Sequence, residues 1–295
     1  MSDPTEKISD WENMVSYLQR THPVDMAWRG QDAAYGHVMK ARLDRCLHSL
    51  NMPDRLRMER AVCQRFREHA PIYLSEVERR YLATRWLELV VMQHYGAPTR
   101  LLDWTKSAWV AVFFAVSGGW DSDGYLYGFR RDRLERCMKE RFGAEIRKRK
   151  LVWGPHLSDS AFADRKWDLA EANDSLFDLA TVKSLSEWVA TYYCREAHFP
   201  RLVAQQGLFT FGSKPDVDHW QNIRTLLPKN DCFVIRIDCL AKPEFLRRLN
   251  TMGLNGATLF PGADGIGRSL EGFARAWHLK PRPSQFPGPR RNKSA

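Results

Sequence analysis

The sequence predicts an α+β domain, and three observations carry that reading. Short runs of branched and aromatic residues, "DGYLYGFRR" and "DCFVIRIDC", have the composition and length of strands. A long span from about 37 to 92 carries apolar residues three and four apart and reads as helical. That span lies between a first strand at 25–31 and the next distinctive block at 92–115, so it is a helical insertion within one domain covering 1–279.

The elements follow in order. Residues 10–20 form a helix with Asp10 as N-cap. In "AWRGQ", alternation puts Trp28 and Gly30 on one face of the strand and Arg29 on the other. "RLRMERAVCQRFREHA" and "LSEVERRYLATRWLELVVMQHYG" are helices, the second opened by a capping box of Ser75 and Glu78. "GAPTRLLDWT" breaks the pattern with Gly96 and Pro98 and reads as a turn-rich connection. "SAWVAVFFAVSGG" is apolar all round and therefore a buried helix. A basic helix is expected at 131–150 and another helix at 184–194. "FPRLVAQQGLFTFGS" ends in a strand, "KPEFLRRLNTMGL" is a helix, and "NGATLFPGADGIGRSLEGFARAW" reads as strand, Gly-rich turn and helix. Residues 280–295 lack any core-forming pattern and are expected to be disordered.

The chain has 45 basic and 35 acidic residues, a net charge of +10 that favours an anionic partner such as nucleic acid. Five of the basic residues lie in the 280–295 tail, which has no acid, so only part of the excess belongs to the domain. The six cysteines form no CxxC pair and no zinc spacing. The polar, acidic N-terminal stretch is unlike a signal peptide, and the longest apolar run is too short to span a bilayer. A reduced, cytoplasmic protein with no membrane partner and no metal is the expectation. P-loop, HExxH and GxSxG motifs do not occur, and "GADGIG" lacks the strand–helix context of a dinucleotide fingerprint. A nuclease ranks last, because neither a metal-binding carboxylate cluster nor paired catalytic histidines stand out.

The block "MQHYGAPTRLLDWTKSAWVAVFFA" gathers His94, Thr99, Arg100, Asp103, Trp104 and Thr105. Each has a structural alternative. Asp103 or Thr105 can cap the following helix, Arg100 can pair with Asp103, and His94, Tyr95 and Trp104 can be core side chains. Arg29 can be a plain ion-pair partner, and the basic helix a solvated face.

"WRGQ" (28–31), "QHYGAPTRLLDWTKSAWVAVFFA" (93–115), "RLVAQQGLFTFG" (201–212) and "ATLFPGADGIGRSL" (257–270) resemble, in order, the conserved blocks of the FRG domain family. The family's "PSL.R" segment has no evident counterpart in "HVMKARLDRC". The same pieces also resemble the arginine class of ADP-ribosyltransferases. "WRG" is similar to its aromatic-Arg-Gly strand, "LLDWTKSAWVAVFFA" to its Ser-Thr-Ser strand and helix, and "AQQGLFTF" to its Gln/Glu-x-Glu loop.

This second resemblance implies a split antiparallel β-sheet core and an NAD-consuming transferase. It implies a toxin-like effector of anti-phage or toxin–antitoxin type, modifying nucleic acid (RNA ahead of DNA) or protein, and held by an antitoxin-like partner. On it, Arg29, Asp103, Thr105 and Gln206 become catalytic candidates. Trp28, Arg29, Gly30, Gln31, His94, Tyr95, Thr99, Arg100, Trp104 and Phe209 become candidates for binding NAD. The chemistry matches the residue types: arginine clamps pyrophosphate, aromatics stack on nicotinamide, and glycine admits a close backbone approach. Gln205 and Gln206 stand where the transferase glutamate is expected, so the carboxylate must come from Asp103, Asp264 or Glu271. Without that carboxylate, the alternative is a non-catalytic module binding nucleic acid or nucleotide.

Overall fold

A computed structural model describes residues 6–20, 25–35, 39–83, 85–137, 140, 189–192, 199–212 and 215–277. The strands are β1 (Glu6–Ile8), β2 (Met26–Gln31), β3 (Leu101–Thr105), β4 (Gly124–Arg130), β5 (Val189–Tyr192), β6 (Gly207–Gly212) and β7 (Cys232–Ile237). They form one sheet in the order β1-β7-β4-β2-β3-β6-β5. Every neighbouring pair is antiparallel except β1 with β7, which is parallel, so the sheet is mixed.

The helices are α1 (Trp11–Arg20), α2 (Arg42–Cys46), α3 (Met52–His69), α4 (Glu76–Tyr81), α5 (Arg85–His94), α6 (Ala108–Val116), α7 (Pro200–Ala204), α8 (His219–Leu226), α9 (Lys242–Thr251), α10 (Gly256–Leu259) and α11 (Ala263–Trp277). Side-chain alternation divides the core into two clusters. Trp28, Leu126, Ile235 and Ile237 pack with α1, α6 and α9. Tyr127, Phe129, Val234 and Trp104 pack with α5 and α8.

Helix α6 lies against the sheet because two strand glycines leave room for it. A Cβ on Gly30 would collide with the carbonyl of Ala111 and the amide of Ala115, and one on Gly124 with the carbonyl of Ala115. The open side of Gly30 is therefore filled by helix, not by a ligand. Gly30→Val is expected to destabilise the fold by about 3 kcal/mol or more, because backbone on both sides must move. Urea denaturation reads this directly, and an unchanged midpoint would refute the packing account. The buried Lys242 on α9 adds a polar latch, donating to the carbonyls of Asp32 (2.6 Å), Gly118 (2.9 Å) and Gly119 (2.8 Å).

Several elements differ from the sequence reading. Residues 101–105 are strand β3, paired from Leu101↔Phe211 to Thr105↔Gly207, and not part of a loop. The helix expected at 184–194 gives way at 189–192 to β5, recruited by β6; the rest of that span lies outside the described residues. "NGATLF" forms α10, started by a capping box of Asn255 and Thr258, instead of a strand. "GADGIG" lies mostly inside α11. The helix opened by Ser75 ends at Tyr81 and a second begins at Arg85, although the capping box itself is present.

Of the basic helix at 131–150, residues 131–137 are helical, and Arg131 pairs with Asp25 and Glu135. Residues 138–139 and 141–150, and the tail at 280–295, lie outside the described residues. Among the described residues, no helix is long and apolar enough to cross a membrane.

Candidate functional site

Strands β2 and β3 are neighbours through a single residue pair, Trp28↔Thr105. Beside that pair lies a cleft of about 410 Å³, a volume suited to a small-molecule ligand. Arg29 spans the junction, its Nη1 donating to the carbonyl of Asp103 at 2.6 Å. Its Nε is buried without a partner. Burial lowers the Arg29 pKa, Asp103 opposes the shift, and Arg45 adds to it. The guanidinium nonetheless stays charged in any practical range.

Asp103 faces the same cleft and is oriented by a relay. Gln93 donates to its Oδ2 at 3.0 Å, and the Thr99 hydroxyl donates to Gln93 Oε1 at 2.6 Å. Among the described residues that line the cleft, Asp103 is the only acid, while Arg29, Arg42, Arg45, Arg201 and His94 supply basic groups.

Helix α2 presents Arg42 and Arg45 one turn apart. It is held by the Leu43 amide on the Thr99 carbonyl (3.0 Å) and by buried Asp44, which accepts from the Asp216 amide (2.7 Å). Burial pushes the Asp44 carboxyl up to about 6. Gly96 ends α5 with φ of 76°, and its carbonyl accepts from Arg42. The His94 ring stacks on Phe199 with centroids 4.3 Å apart and planes 22° apart. Burial, then Arg201, lowers the His94 pKa and Glu78 raises it, with a net drop that leaves the imidazole neutral near pH 7.

The structure gathers only part of the predicted set. Arg29, His94 and Asp103 line the cleft as side chains suited to a ligand, while Phe209 borders it as a buried core ring. Trp28 and Gly30 border it from β2, but the Trp28 ring is fully buried over Gly128 and Gly30 serves α6. Trp104 is also core, its ring edge-on to Phe129 (4.8 Å) and its Nε1 donating to Thr210 (2.9 Å). Thr105 spends its hydroxyl on the Gln205 carbonyl (2.7 Å).

Arg100 is wholly buried and paired with Glu59, not with Asp103, and its Nε donates at 2.6 Å. Thr99 is buried in the relay. Tyr95 is exposed, donates to Glu78 (2.8 Å) and stands outside the cleft lining, as does Gln31. Gln206 is exposed at a left-handed turn position (φ 46°) and does not line the cleft. Gln205 does, but its amide donates to the Leu259 carbonyl (2.9 Å). Asp264 is exposed outside the lining, and the Glu271 side chain lies outside the described residues.

Gln93, Arg42, Arg45, Phe199 and Arg201 are the cleft residues the sequence reading missed. The i, i+3 spacing of the two arginines was the available signal for that pair.

Behind the cleft floor, the Trp104 indole donates to Thr210, whose hydroxyl is then free to donate to His219 Nδ1 at 2.7 Å. Burial, then Arg29 and Arg100, lowers the His219 pKa to about 3. The unfolded chain binds this proton below about pH 6.5 and the folded chain does not, so the contribution to stability falls as pH drops from about 6.5 towards 3. In an NMR titration His219 should keep neutral-ring nitrogen shifts at about pH 5; a normal midpoint would contradict the buried placement.

The described residues thus form one α+β unit with a basic cleft beside the narrowest strand junction of its sheet. The FRG domain family model matches residues 24–123, and that segment is similar to an FRG domain. The match runs from the approach to β2 through α6, and so includes Arg29, Gln93 and Asp103. No curated protein and no solved structure matches the chain. One group of possible metal ligands occurs among the described residues, Asp123, Asp238 and Cys239. There Asp123 already pairs with Arg236 and accepts from the Cys239 amide, and Asp238 accepts from the Leu240 amide.

Proposed function

We propose that the cleft binds NAD and transfers its ADP-ribose to nucleic acid, RNA ahead of DNA, or to protein. The observation that carries this reading is the pairing of Arg29 with the Asp103 backbone at the β2–β3 junction, inside a cleft with one carboxylate and four arginines. The sheet is continuous and mixed across that junction, so it is not the split antiparallel core that the transferase resemblance implied.

Arg29, Arg42 and Arg45 suit the pyrophosphate. Phe199, buried beneath the His94 ring, holds that imidazole in place at the cleft. In the transfer, the bond from ribose C1′ to the nicotinamide nitrogen breaks and its electron pair leaves with the ring, which becomes neutral. The carbon passes through an oxocarbenium-like state that the Asp103 carboxylate stabilises. An acceptor oxygen or nitrogen then bonds to the same carbon, and its proton passes to neutral His94 and on to water.

The second reading is a nucleotide-binding module without turnover. It is favoured by the commitment of the Thr105 hydroxyl and the Gln205 amide to backbone and by the outward turn of Gln206.

Calorimetric titration with NAD, paired with assay of nicotinamide release in the presence of total RNA and protein extract as acceptors, separates the two. Binding with release supports the transferase, and binding without release supports the module. No binding rejects both. Arg29→Ala should abolish binding while the circular dichroism spectrum is retained. A transferase acting on cellular RNA is toxic, so we read the protein as a defence effector with an inhibitory partner. Expression should then arrest growth, and persistent toxicity of Arg29→Ala would count against this reading.

A further inference from the structure

Beyond the cleft, a second basic feature continues outward from its rim. Arg201 lines the cleft and lies over one side of the Phe260 environment, its guanidinium carbon 4.7 Å from the ring centroid. Arg268 on α11 also packs on Phe260, at 4.5 Å. Both arginines are exposed, and Phe260 itself is buried.

The support for this ladder is built in. Gln205 ties the α7 turn to the Leu259 carbonyl. Gly265 lets α11 approach the Phe260 backbone, and Gly256 lets α10 approach the Ser269 amide of α11, where a Cβ would collide in each case. Electrostatic neighbours give the order along the feature. Arg29 interacts with Arg45 and Asp103, and Arg201 with Asp103, Arg268 and Asp264. Arg29 and Arg201 thus both lie within electrostatic reach of the single cleft carboxylate, and Arg201 links it to Arg268.

We propose that Arg201 and Arg268, braced on Phe260, form the acceptor arm: a site for the backbone of a single-stranded nucleic acid running out of the cleft. The proposal rests on the transferase reading for its purpose, but not for its test. Two guanidinium groups held by a shared ring are positioned for adjacent phosphates and offer flat surfaces for unstacked bases. A duplex keeps its bases stacked inside and offers no such contact. The arrangement gives the cleft a division of labour. Arg29, Arg42 and Arg45 hold the anionic part of the donor, the outer arm holds the acceptor, and Asp103 lies between.

The test uses the full chain and fluorescence anisotropy with a short labelled single-stranded RNA. The same sequence as single-stranded DNA and as duplex RNA provides further arms. Arg201→Glu with Arg268→Glu should weaken single-strand binding at least tenfold. It should also reduce the slope of log K against log salt by about 1.4, the loss of two phosphate contacts on a single strand. Lys229→Glu with Arg57→Glu, the same charge change elsewhere on the surface, should alter binding less than threefold.

Equal losses in both double variants would show only general charge and overturn the arm. So would unchanged binding in the Arg201/Arg268 variant, or wild-type preference for the duplex. Nicotinamide release from NAD with the RNA present as acceptor is followed in parallel. Its absence in the wild type defeats the transferase reading, while the anisotropy result still decides the arm.

Discussion

Asp103→Asn is expected to lower nicotinamide release from NAD by about 10²–10³-fold, the usual loss when one preorganised electrostatic group is removed from a reaction centre. The amide retains an oxygen to accept from Gln93 and leaves the Arg29 contact, which uses the Asp103 backbone carbonyl. What disappears is the negative charge, and that charge matters most when C1′ becomes cationic. The loss should therefore fall on kcat, with KM changed only a few-fold. A variant with wild-type kcat would remove Asp103 from the mechanism. A raised KM with unchanged kcat would assign it to donor binding alone.

Glu59→Ala is expected to cost about 3–5 kcal/mol of folding stability, the cost of leaving one charge of a buried pair unmatched. Arg100 and Glu59 are both buried, joined through the Nε and Nη2 of the guanidinium. Arg100 also donates to the Gly212 carbonyl and packs 5.1 Å from the Phe211 ring centroid. This pair ties α3 of the insertion to the start of β3, two residues ahead of Leu102 and three ahead of Asp103. Removing both charges together, with Glu59→Gln and Arg100→Met, should recover a substantial part of the loss, since no unmatched ion remains. Urea denaturation of the three variants provides the measurement. A single variant as stable as the parent would show that the pair does not secure β3.

The strands that alternate strongly were legible. "WRGQ" gave Arg29 one face and Trp28 and Gly30 the other, as β2 has them, and "DCFVIRIDC" became β7. The buried helix α6 was equally plain from its unbroken apolar run.

What escaped was set by partners far along the chain. Leu101–Thr105 is too short and mixed for its residue pattern to show a strand, although the transferase resemblance implied one there, and its ladder with β6 makes it one. β5 exists as a strand through the same partner. Arg100 and Thr99 looked like ligand-binding groups because nothing in the local sequence reveals Glu59, forty-one residues earlier, or the Gln93 relay. Gly30 looked like a place for a ligand because a glycine records that something comes close, not whether it is helix or substrate. In the cleft, the sequence picked out Arg29, His94, Asp103 and Phe209. It overlooked Arg42, Arg45 and Arg201, since charged residues at helix surfaces are common and only the fold shows which ones converge.

The most direct test of the central claim is label transfer. The full chain is incubated with NAD labelled in its adenine ring and with total RNA, and the RNA is purified and counted. Incorporation into RNA that is lost with Asp103→Asn and with Arg29→Ala is the expected result. Intact NAD, with no label in RNA, DNA or a protein extract supplied in its place, would contradict it.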